Sequence, residues 1–210
     1  GTCGNAVTLQ TLPALQADIS GKALVYEPMP DGAAWGLVVY NLDGSGRIVV
    51  DASANWGAMN PAGTLITYPV EGGFNIYDLA TGKAVFKAVE GGYDPLWSND
   101  GRRIAYINET ASGLLVMEVA TGETHQLSSL GFESTVGWLP DDSRLITAAM
   151  FSGGAAWQIR SIDPSTGVAE ELFVIEDGSH KAINAVISTD GEWIAYRGGN
   201  NSDVYLVKLD

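Results

Sequence analysis

Cysteine is almost absent: Cys3 is the single one in 210 residues, so no internal disulfide can staple the fold. Histidine is nearly as scarce, with His125 and His180 alone, which excludes a histidine-rich metal centre. Lys and Arg number 11 against 25 Asp and Glu, a formal net charge of −14. Nucleic-acid binding needs clustered basic groups to displace counterions from phosphates, so that class of partner is excluded. The acidity reads as a solvated, self-repelling surface, or as attraction for cations and basic partners. No apolar run approaches the ~20 residues of a membrane-spanning helix. Helical spacing of apolar residues is missing, as is a Gly-x-Ser-x-Gly nucleophile elbow.

What is present is hydrophobic and turn-rich. Hydrophobic residues make up 46%, charged residues 17%, and 26 glycines fall between short β-rich runs, the composition of an all-β chain. Five segments align. They begin at Gly21, Gly63, Gly101, Asp142 and Gly191, and carry an aliphatic column of Leu24, Ile66, Ile104, Leu145 and Ile194. An aromatic column follows at Tyr26, Tyr68, Tyr106 and Tyr196, with Thr147 as the exception. Steps of 42, 38, 41 and 49 residues separate the aliphatic positions, a period that signals repeated supersecondary units. The third copy reads as four strands: Asp94–Trp97, Arg103–Ile107, Leu114–Val119 and Glu123–Ser128. Between its first two, Ser98-Asn99-Asp100-Gly101 is a turn whose glycine takes positive φ cheaply.

The run Pro95-Leu96-Trp97-Ser98-Asn99-Asp100-Gly101-Arg102-Arg103-Ile104-Ala105-Tyr106 resembles the Pro-x-Trp-Ser-Pro-Asp-Gly-x-x-Ile-Ala-Tyr repeat of TolB-like β-propellers. Trp138-Leu139-Pro140-Asp141-Asp142 and Ser188-Thr189-Asp190-Gly191 are partial copies, and Met59 stands in the tryptophan column of the second copy. The resemblance implies an all-β propeller with four antiparallel strands per blade, and the five copies give five blades in one domain over 1–210; six blades are commoner in that group, so a truncated chain or an oligomer of fragments is the alternative. Its blades would cover approximately 13–52, 53–90, 91–130, 131–178 and 179–210. The fifth copy ends at its third strand, so the strand at 5–11 is expected to complete the last blade and close the ring. The first blade has a weak inner strand over Leu12–Ile19, because Pro13 cannot donate to a ladder.

Cys3, in Gly1-Thr2-Cys3-Gly4-Asn5, resembles the lipid-modified cysteine that begins a mature bacterial lipoprotein; an incidental terminal cysteine is the other reading. A secreted, periplasmic or cell-surface monomer is the corresponding expectation.

Propellers bind ligands where loops enter the inner strands at one mouth of the channel. Three residues ahead of the tryptophan column stand Trp56, Asp94, Thr135 and Asn184, and Tyr93, Glu133 and His180 lie on the same connections. Asp94, Asn184 and Glu133 offer oxygens for a calcium ion or for sugar hydroxyls, and Trp56 or Tyr93 a stacking platform. The plainer reading is that these groups satisfy one another and ordered water. Trp97 and Trp138 are expected in the core; Trp35 and Trp157 flank longer loops and are ligand candidates. The favoured function is non-enzymatic recognition of a protein, peptide or saccharide at the channel mouth. A five-bladed carbohydrate-active enzyme using converging carboxylates, and a purely structural scaffold, are the alternatives. No cofactor is expected beyond that calcium.

Overall fold

The computed structural model describes residues 18–19, 22–30, 32, 35–54, 56–108, 113–130, 133–151, 156–175, 185–197 and 203–209, with the backbone alone at 18–19, 86–90 and 151. Nineteen β-strands and no helix are found among them. They form two compact units, Gly1–Glu90 and Gly91–Asp210.

Unit one holds two antiparallel four-stranded sheets. The first comprises β1 (Asp18–Ile19), β2 (Lys22–Pro28), β3 (Trp35–Asn41) and β4 (Ile48–Asp51), and the second β5 (Ala58–Met59), β6 (Leu65–Val70), β7 (Gly73–Asp78) and β8 (Lys83–Glu90). Each is laid down in chain order, as short turns dictate. Leu24, Leu37 and Val39 of the first sheet pack with Met59, Ile66 and Tyr68 of the second, and β1 lies beside β5. The rest of the expected inner strand over Leu12–Ile19, and the strand at 5–11, lie outside the described residues.

Unit two repeats the plan. Its sheets are β9 (Gly92–Trp97) to β12 (Thr124–Ser128) through β10 (Arg103–Asn108) and β11 (Gly113–Glu118); β13 (Glu133–Trp138) to β16 (Ala169–Ile175) through β14 (Leu145–Phe151) and β15 (Ala156–Ile162); and the three-stranded β17 (Ala185–Ile187), β18 (Trp193–Arg197) and β19 (Val204–Lys208). The first strand of the middle sheet, β13, lies beside both β9 and β17. That sheet is therefore covered on both faces. Leu145 and Ile162 pack with Ala105, Leu114 and Trp138 on one side, and Ile146 and Ile159 with Ile194 on the other. This explains why β14 reads as nearly continuous apolar sequence instead of alternating. Gly137 is required at the β13–β17 contact, since a Cβ there would overlap Ile187.

The turns joining first to second strands are built alike. Ser98 Oγ donates to Asp100 (2.7 Å) and accepts from Arg103 N (2.9 Å), while Gly101 takes φ +70°. Ser188, Asp190, Gly191 and Trp193 repeat that arrangement in the last sheet. In the middle sheet Asp142 replaces the glycine and still adopts φ +57°. An aspartate is among the few side chains that tolerate this region, and its carboxylate is used. It accepts from Asn99 N (2.8 Å), Asn99 Nδ2 (2.9 Å) and Asp100 N (2.8 Å), tying this turn to the preceding one. Exposed turns elsewhere use Asp-x-Ser pairs, and the Ser165 hydroxyl donating to Asp163 holds that carboxyl down at about 2.

Candidate functional site

The site candidates are positioned by bulges. In β9, Ala105 faces Leu96 and Ile107 faces Tyr93, so Asp94 and Pro95 together oppose Tyr106. That extra residue is a β-bulge, a device that re-aims side chains, and Pro95 fits it because no ladder bond is required of it there. Asp94 takes φ +51° and is exposed, as is Tyr93 at 41%. The next sheet is bulged at the corresponding place: Thr135 pairs Thr147, Gly137 pairs Ile146, and Val136 is left over. Thus β9 and β13, which lie side by side, both begin with irregular, polar-rich segments.

Glu133, at the start of β13, is not exposed there. Its side chain is 1% accessible, and Oε1 accepts from Thr147 Oγ1 at 2.6 Å and from Arg160 Nη1 at 3.1 Å. Its Oε2 is buried and has no partner among the described residues. Thr135 is half-buried and pairs across the ladder with Thr147. Unit one contains a buried glutamate for comparison: Glu27 takes Arg47 Nε on one oxygen (2.7 Å) and the Tyr40 hydroxyl on the other (2.8 Å). Burial, then the bond to Glu27, raises the Tyr40 hydroxyl above its ordinary range. Both oxygens of Glu27 are engaged, whereas Glu133 keeps one in reserve.

In unit one Trp56, on the segment leading into β5, is the most exposed tryptophan described, at 54%. Trp35 is partly exposed and packs against Tyr26 with ring centroids 5.1 Å apart. Trp157, expected as a ligand candidate, is instead buried with Ile146, Ile159 and Ile194, because its face of β15 is the one covered by the last sheet. Trp97 and Trp138 are core, as expected, and Arg103 lies 4.8 Å over the Trp138 ring. His180, Asn184 and Cys3 lie outside the described residues. Among the described residues no three of His, Cys, Asp and Glu gather to hold a metal ion.

Sequence reasoning missed a groove in unit two. Its volume is about 580 Å³, and its walls include Leu127 and Ser128 at the end of β12 and Leu130 just after it, with Gln158 and Arg160 of β15 and Glu171 of β16. The only signal available was the pair of polar residues at alternate positions of β15, Gln158 and Arg160, in a strand otherwise reading as core.

No protein-family model matches the sequence, and no curated protein matches it. Solved structures do. TolB from Acinetobacter baumannii is similar at 18% identity and a TM-score of 0.64, over 91% of this chain and 54% of that one. Hydrazine synthase from Kuenenia stuttgartiensis is similar at 14% and 0.67, over 100% and 67%. Periplasmic gluconolactonase from Pseudomonas aeruginosa is similar at 16% and 0.58, over 92% and 65%. The chain thus spans about half the length of that TolB. These proteins carry different activities, so the likeness shows the fold, a β-propeller built of antiparallel sheets, and the fold alone.

Proposed function

We propose that this chain is a non-enzymatic, extracytoplasmic binding module that recognises a protein, peptide or saccharide at the end of the propeller where the first strands begin. In this reading the five sheets are the five blades of one domain, and the strand at 5–11 supplies the missing fourth strand beside β19. The supporting observation is the exposure of Trp56, Tyr93 and Asp94 on the segments entering first strands, with Asp94 in a left-handed conformation on a bulge. Large aromatics left in solvent next to backbone held in a sparsely populated conformation are typical of binding surfaces and not of cores. Asp94, Thr135, Asn184 and His180 are the polar partners this reading assigns to the ligand, or to a calcium ion held with it; Glu133, whose side chain is 1% accessible and bonded to Arg160, is left out of that set. Periplasmic gluconolactonase and TolB are of the same fold, which makes a location outside the cytoplasm the natural choice; Cys3 as a lipid anchor would be consistent with it.

The test is titration of the intact chain, followed by tryptophan fluorescence, against calcium, neutral oligosaccharides and an unbiased peptide library. Trp56→Ala and Tyr93→Ala should each weaken whichever ligand binds by about tenfold or more, as loss of an aromatic platform does, while leaving Tm unchanged. Ligand binding that is indifferent to both substitutions would reject this surface.

A further inference from the structure

We infer that the groove walled by Arg160, Gln158 and Glu171 is a second ligand site, and that it takes a neutral saccharide. The inference is independent of the surface around Tyr93. Its volume of about 580 Å³ falls within the ~300–1,000 Å³ of small-molecule clefts. What singles it out is how its polar groups are held.

Arg160 is a built feature. Its side chain is 15% accessible, and Nη1 is bonded to Glu133, whose own side chain is 1% accessible. Thr147 fixes the same glutamate oxygen from the adjacent strand. Taking such a pair out of water costs more than its attraction commonly returns, so a buried ion pair is poorly explained by stability. It does hold the guanidinium in one orientation on the groove wall. The remaining N–H groups of Arg160 have no partner among the described residues.

Glu171 lies directly opposite Arg160 across the β15–β16 ladder, where facing side chains are neighbours. The two are not ion-paired with each other; the Gln158 amide donates to Glu171 instead. One wall therefore presents the held donors of Arg160 beside an acceptor on the exposed side chain of Glu171. Adjacent hydroxyls on a sugar ring match that pattern, one accepting from Arg160 and one donating to Glu171. Leu130, which is half-buried, supplies an apolar surface for the C–H face of the ring. Charge decides against an acidic ligand. Glu133 already neutralises Arg160, and Glu171 leaves the groove negative, so a carboxylate or phosphate would be repelled.

The test is isothermal titration of the full chain with cellobiose, maltose, lactose and chitobiose, and with galacturonate as the anionic comparison. At least one neutral disaccharide should bind with Kd on the order of 0.1–1 mM. Ser129→Trp, an exposed wall position, should abolish that binding by filling the groove. Glu171→Gln, on an exposed side chain, should weaken it by about tenfold, and both variants should keep the wild-type Tm. Trp56→Ala should leave it untouched. The inference is overturned if no neutral disaccharide binds at about 10 mM, if binding survives both groove variants, if it depends on Trp56, or if galacturonate alone binds.

Discussion

Replacing Asp142 by alanine should lower stability by about 3 kcal/mol, roughly 6–12 °C in Tm for a chain of this size. Three donors converge on this one carboxylate: the Asn99 backbone and side-chain amides and the Asp100 backbone amide. Asp142 is 7% accessible, so water replaces it poorly once the side chain is gone. A second cost comes from the backbone. At φ +57° alanine has no polar group to offset the clash of its Cβ, worth about 1–2 kcal/mol. Glycine removes the clamp but not the conformational fit, and asparagine keeps one of the two acceptor oxygens. The expected order of stability is Asp, Asn, Gly, Ala. Thermal unfolding of the four proteins checks it. An alanine variant as stable as the parent would mean that the turn-to-turn bonds contribute nothing, and a glycine variant below alanine would contradict the backbone argument.

Glu133→Ala should cost about 3–5 kcal/mol, because it strands a mostly buried guanidinium and removes its one partner among the described residues. Arg160→Ala should be at least as damaging, leaving the carboxylate of Glu133 with the Thr147 hydroxyl alone among the described residues. The double replacement Glu133→Leu with Arg160→Met should recover most of that loss, since two apolar side chains of similar volume avoid both desolvation penalties. Urea unfolding of the two single variants and the double closes the cycle. A double variant no better than the worse single would show that the pair is held by packing around it and not by charge. Single losses below about 1 kcal/mol would mean that water reaches the pair, as it does for exposed ion pairs.

The repeat made the fold readable before any coordinates. The aliphatic column Leu24, Ile66, Ile104, Leu145 and Ile194 is buried throughout, because each residue sits at the same depth of the same strand in its sheet. Most expected strands lie within one or two residues of those found. What the repeat could not carry was anything that differs between copies. Asp142 aligns with the glycines that begin the other copies, and nothing in that alignment shows that its carboxylate bonds two turns together. Trp157 looked loop-proximal, yet the last sheet covers its face of β15. Glu133 was legible as a polar group near a first strand, but its partner lies 27 residues away, and no local pattern announces a contact of that range. The groove was equally hidden, since Arg160 and Glu171 become neighbours only through the β15–β16 register.

The exposed apolar residues of the last sheet bear on the whole reading. Val204 is 70% accessible, Leu206 68% and Val186 62%, and β19 has no outer neighbour among the described strands. An uncovered edge carrying such residues invites pairing with another strand, and the proposed closure provides one.

The most direct measurement is a crystal structure of the intact chain soaked with calcium and mixed oligosaccharides. The account predicts five blades in one closed ring, residues 6–10 paired with β19, and ligand or ion density beside Trp56, Tyr93 and Asp94. An open arrangement of sheets, or a closed ring whose first-strand end is bare while ligand sits elsewhere, would contradict it.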